Sequence, residues 1–105
     1  MTAKKIVFST TASKEEAEQI ARALVERRLA ACVNIAGPIE SIYRWKGEVE
    51  NATEWLLIIK TVAGAFERVR DTITELHSYE LPECIAVPID SGSAAYLKWI
   101  EENVG

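Results

Sequence analysis

Histidine, methionine, cysteine and proline are all scarce in this chain of 105 residues, which has one, one, two and three of them. One histidine and two distant cysteines fall short of the clustered spacings that build tight zinc sites. Cys32 and Cys84 each sit in an apolar, strand-like run, which suits reduced, buried core thiols better than a disulfide framework. Positive charge is not in excess either. The formal net charge is −4, with acids and bases mixed along the chain, so nucleic acid and anionic membrane are not expected partners.

No apolar run approaches the about 20 residues that cross a bilayer. The start, MTAKKIVFSTT, also lacks the apolar stretch of a secretory signal, so a cytoplasmic location is expected and Asn51-Ala52-Thr53 reads as a chance glycosylation match. Missing too are GxSxG, HExxH, GxGxxG and the phosphate loop. His77 and Glu80 have helical i, i+3 spacing for proton transfer, but Pro82 argues against a continuing helix. The chain is therefore expected not to be an enzyme.

What remains is ordinary globular composition, 49% hydrophobic and 27% charged, at the usual size of one domain spanning residues 1–105. KKIVFSTT (4–11) reads as a central strand, apolar on both faces. Ser13 and Glu16 then have capping-box spacing, and Ala17, Ile20, Ala21, Leu24 and Val25 make one helical stripe. LAACVNIAGPIESIYRW (29–45) is a second strand, with a bulge at Gly37 and an edge position dictated by Pro38. The third strand carries Trp55 to Ile59 and leads into a helix with Phe66, Val69, Ile73 and Leu76 inward. CIAVPID (84–90) is a fourth strand, also at an edge because of Pro88. Ser91-Gly92-Ser93 is expected to cap a last helix bearing Tyr96, Leu97, Trp99 and Ile100. The order is βαββαβ plus a C-terminal helix, an α+β, ferredoxin-like sandwich with an antiparallel sheet and both crossover helices on one face.

Its centre is a hairpin turning at Lys46-Gly47, whose outgoing strand runs from Glu48 without Pro or Gly until Gly64. Such a strand spans about 46 Å, whereas a globule of this size is about 33 Å across. Its end would carry Ile42, Tyr43, Trp45 and Val49 into water unless the strand breaks near Asn51-Ala52-Thr53 and folds back. Burying Tyr43 and Trp45 offers on the order of 8 to 10 kcal/mol before the costs of association. A sister chain can supply that cover and pair the open edge. Arm and acceptor are different surfaces, so the contact is heterologous and the smallest closed ring is a homotrimer.

LAACVNI (29–35), SIYRWKGEV (41–49), EWLLIIKT (54–61), HSYELPE (77–83) and YLKWI (96–100) together resemble the CutA family of divalent-ion tolerance proteins over essentially the whole chain. The resemblance implies a trimer built by long hairpins, a cytoplasmic location, and a role in tolerance of copper and other divalent metals. It also implies a likeness to PII signalling trimers, whose intersubunit clefts bind small ligands and report to a protein partner.

His77, near Tyr79, Glu80 and Glu83, is the candidate ligand for a weakly held divalent cation, Cu²⁺ or Zn²⁺. The alternative is a helix-terminal histidine bonded to the last carbonyls. Of the copper ligands suggested for the resembling family, only His77 carries over, because Ser9 replaces the strand-end cysteine and Leu76 the adjacent histidine. The family's His-Pro-Tyr reads His77-Ser78-Tyr79 here. The resemblance further implies a ligand cleft drawn from Tyr43, Trp45, Lys60, Tyr79, Glu80 and Tyr96, with Lys60 placed to hold an anion. The plainer alternative makes Tyr43 and Trp45 interface packing, Tyr96 a docking contact and Lys60 a solvated strand end.

Overall fold

The computed structural model describes residues 2–105. The chain runs β1 (Lys4–Thr11), α1 (Lys14–Glu26), β2 (Cys32–Trp45), β3 (Glu48–Val62), α2 (Phe66–Leu76), β4 (Ile85–Pro88) and α3 (Ala94–Glu102). A 3-10 turn at Ala63–Ala65 leads into α2. The strands make one antiparallel sheet in the order β2-β3-β1-β4, the α+β, ferredoxin-like arrangement. Pro38 and Pro88 both fall in edge strands, where a missing N–H breaks no ladder between neighbours.

Ser13 starts α1 as its spacing predicts, its hydroxyl accepting from the Glu16 amide at 3.1 Å. Ala17, Ile20, Ala21 and Leu24 then bury one face, and Val69 and Ile73 do the same for α2. These stripes pack on Val7, Leu57 and Ile59 to form the core, with Phe66, Leu76 and Cys84 at its margin.

The elements are shorter than their apolar runs suggest. β2 begins at Cys32 because Arg28, at φ 58°, closes α1: the amides of Leu29 and Ala30 both return to the Leu24 carbonyl. Leu29, Ala30 and Ala31 are thus a buried turn. Cys32 shares a sheet face with its register partner Lys60, opposite Ile59 and the helices, so it is not a core thiol. Both cysteines are free. Ser93 occupies the N-cap of α3, but its side chain makes no capping bond.

From Ile39 and Glu54 outward, β2 and β3 stay paired as far as Trp45 and Glu48. Lys46 (φ 51°) and Gly47 (φ 84°) both have positive φ, as a type I′ turn requires, and Gly47 adopts it without a Cβ clash. The hairpin therefore does not fold back at Asn51-Ala52-Thr53, and the molecule measures 44 × 25 × 22 Å. A bulge between Ala36 and Ile39 decides which way the arm's side chains face. By inverting the alternation of β2, it puts Ser41, Tyr43 and Trp45 on the face of Glu54, Leu56 and Ile58, away from the helices. Trp55 lies so close under Gly37 that an added Cβ would come within 2.5 Å of its ring, so the bulge has room only for glycine.

α3 lies on that second face. Tyr96 sits beside Cys32, and Ile100 is fully buried. Arg28 secures the end of α3, its guanidinium donating to the carbonyls of Glu102 and Gly105, both at 2.9 Å. The rest of the face remains apolar and open: Ile85 is 57% exposed, and Val87, Tyr96 and Trp99 are exposed beside it.

Candidate functional site

The loop after α2 is fastened by three side chains. His77 is the C-cap residue of α2, but its ring leaves the helix and crosses to β1. Nε2 donates to the Thr10 carbonyl at 2.7 Å, and Nδ1 accepts the Tyr79 amide at 3.0 Å. The carbonyl can only accept, so these partners fix a neutral ring with its proton on Nε2. Glu16, rather than closing the capping box, reaches across to accept from the Ser78 amide at 2.9 Å and the Ser78 hydroxyl at 3.1 Å. Tyr79 donates its hydroxyl to Glu54 Oε2 at 2.7 Å and packs its ring against His77.

These bonds build one wall of a cleft of about 690 Å³. Its lining includes Tyr43 and Trp45 from the arm, Glu54 from β3, Thr10 from β1, and Tyr79, Glu80, Leu81 and Glu83 from the loop. The volume and the mix of aromatic and polar groups are those of a small-molecule site. Its charge has one sign. Glu54 is only 6% exposed, and the Tyr79 phenol that serves it is held well above the ordinary tyrosine range by burial and by that carboxylate. The Glu83 carboxyl is likewise pushed up, chiefly by desolvation and then by the Glu54 charge.

Tyr43, Trp45, Tyr79 and Glu80 thus meet in one cleft, while His77 stands behind its wall. Lys60 and Tyr96 do not line it. Lys60 donates to the Asn34 amide oxygen on the sheet face, and Tyr96 stacks on Trp99 with ring centroids 5.4 Å apart. Partial burial, helped by the neighbouring Cys32, raises the Tyr96 phenol pKa. Among the described residues no lysine lines the cleft.

The donor set does not fit a tightly held Cu²⁺ or Zn²⁺. Both nitrogens of His77 are spent on backbone groups, and among the described residues no three His, Cys, Asp or Glu side chains converge on a metal position. Burial also pushes the Cys84 thiol up, against easy thiolate formation. Sequence reasoning missed Glu54 and underused Glu83. Only the alternation imposed by the bulge marks Glu54 as sharing a face with Tyr43 and Trp45.

Residues 5–103 match the model of the CutA1 divalent ion tolerance protein family. The divalent-cation tolerance protein CutA of Thermus thermophilus is 48% identical over 101 residues, covering 96% of this chain and 98% of the relative. Its solved structure superposes with a TM-score of 0.95, over 97% of this chain and 99% of the other. An Archaeoglobus fulgidus structure, described as a periplasmic divalent cation tolerance protein CutA, is 45% identical with a TM-score of 0.94, over 97% of this chain and 99% of its own. A chloroplastic CutA of Arabidopsis thaliana is 41% identical, over 93% of this chain and 54% of the relative. A family match over nearly the whole chain, together with relatives of this identity and coverage, shows that the chain belongs to the CutA1 divalent ion tolerance protein family.

Proposed function

We propose that the protein serves divalent-cation tolerance without catalysis, as a cytoplasmic homotrimer. One observation carries the assembly: an unbroken arm holds Ile42, Val49 and Tyr43 at 73%, 64% and 44% exposure. The open sheet face with Ile85, Val87 and Trp99 offers apolar surface of matching kind, and a contact between unlike surfaces closes as a ring. Two free thiols suit a reducing compartment, and no helix of the described residues is long and apolar enough to cross a membrane.

Divalent cations bind weakly in this reading, through carboxylates such as Glu80 and Glu83. His77 joins them only if Nδ1 releases the Tyr79 amide. Calorimetric titration of metal-free protein with Cu²⁺ and Zn²⁺ tests this, with His77→Ala expected to change the weak affinity little. Submicromolar affinity lost in His77→Ala would contradict it.

The cleft supports a second reading, a PII-like module that binds a small ligand and signals to a protein partner. Its volume and aromatic lining favour this. Saturable binding of any small metabolite, weakened by Trp45→Leu, would establish it.

A further inference from the structure

No backbone-to-backbone hydrogen bond ties residues 78–83 to the rest of the described chain, although they join α2 to β4 and give Tyr79, Glu80, Leu81 and Glu83 to the cleft. Side chains hold the loop instead. His77 reaches the Thr10 carbonyl, Tyr79 reaches Glu54, and Glu16 of α1 accepts both donors of Ser78, its amide and its hydroxyl. A segment tied in this way opens locally more easily than the paired strands beside it.

Glu16 also has a second place to go. It stands three residues after Ser13, the N-cap of α1, and half of a capping box is already made, because the Ser13 hydroxyl accepts from the Glu16 amide. The reciprocal half, in which the Glu16 carboxylate accepts from the Ser13 amide, is unmade. No acceptor among the described residues takes that amide. Rotation about the side-chain bonds of Glu16 exchanges Ser78 for Ser13. In either position the carboxylate accepts a backbone N–H, so neither strands the charge. Two satisfied arrangements of one side chain make a bistable element, and only one of them holds the loop.

We infer that Glu16 is a two-position latch on the cleft: on Ser78 it fixes residues 77–83 as the cleft wall, and on the Ser13 amide it completes the capping box and lets that wall loosen. The latch lies where α1 starts and α2 ends, in the helix layer, so a neighbouring chain that covers the arm and the open sheet face leaves it in place. For its consequence the inference rests on the second reading, that the cleft takes a ligand, and it names what governs entry.

The test is amide hydrogen exchange and relaxation dispersion by NMR on the full chain as it assembles. In the unaltered protein the amides of Ser13, Ser78 and Tyr79 should report one common process. Ser78→Pro removes both donors at once, and His77 before it is already extended at ψ 143°, as a residue preceding proline must be. Glu16 should then settle on Ser13, whose amide should exchange about ten-fold more slowly. Adding Glu16→Ala should abolish that protection. Ser78→Ala keeps the loop backbone and should move Ser13 the same way by a smaller factor. Glu67→Gln, an exposed acid on α2, should leave it unchanged. A Ser13 amide that exchanges at the wild-type rate in both Ser78 variants would reveal a fixed clamp and overturn the inference. Dispersion at Ser78 and Tyr79 with none at Ser13 would overturn it equally. No ligand is added, so the latch stands or falls separately from the Trp45→Leu test of the cleft.

Discussion

β3 lives in two environments. From Glu54 to Val62 it is the middle of a covered sheet, with Leu57 and Ile59 fully buried under α1 and α2. From Glu48 to Thr53 the same strand runs on through solvent, with Val49 64% exposed and, on the paired strand opposite Asn51, Ile42 73% exposed. Pairing with β2 resumes beyond the bulge and continues to the turn, but pairing with β1 stops at Trp55, so the inner half is bonded on both edges and the outer half on one. Burial separates them further. The inner half is stabilised by its own chain, whereas the outer half gains hydrophobic stabilisation only when another surface covers it. The cleft sits at this boundary, with Glu54 at the last covered position and Tyr43 and Trp45 on the arm.

The sharpest way to break this comparison is to make the same kind of truncation in each half. Leu57→Ala removes a fully buried side chain facing the helices and should lower folding stability by about 2–5 kcal/mol. Ile42→Ala should leave the stability of a dilute single chain within about 0.5 kcal/mol and act on association instead. Denaturant unfolding at fixed and at varied protein concentration separates the two effects.

Next in size is the boundary itself. Tyr79→Phe strips the Glu54 carboxylate of its hydroxyl partner and leaves the charge buried, a loss of about 1.5–3 kcal/mol by the same measurement.

The smallest effect lies at the cleft mouth. The folded-state pKa of Glu83 is raised, so its contribution to stability is full below the ordinary carboxylate range and is lost as pH rises through the raised value. Glu83→Gln removes that loss. The variant should match the wild type near pH 4 and be slightly more stable, by a few tenths of a kcal/mol, at pH 7. Unfolding midpoints across that range check the sign.

Much of the fold is legible in the residues. Ser13 with Glu16 marks α1, Pro38 and Pro88 mark the edge strands, and Lys46-Gly47 marks the turn. These signals are local, and each acts through backbone geometry. The site is less legible because its contacts are long-range. Glu54 and Tyr79 are 25 positions apart, and His77 meets Thr10 across 67. Nothing near either residue in the sequence announces such a partner. An acid at the head of an apolar run reads as solvated, and a histidine beside carboxylates reads as a ligand. Alternation also fails where both sheet faces are apolar, which is why Cys32 reads as core when it lies on the opposite face.

The arm's outer half is the direct test. Light scattering of the full chain at micromolar concentration should give three times the 11.7 kDa chain mass, and Ile42→Asp with Val49→Asp should drive it toward single chains without unfolding the inner half. A wild-type mass of one chain, 11.7 kDa, would contradict the account.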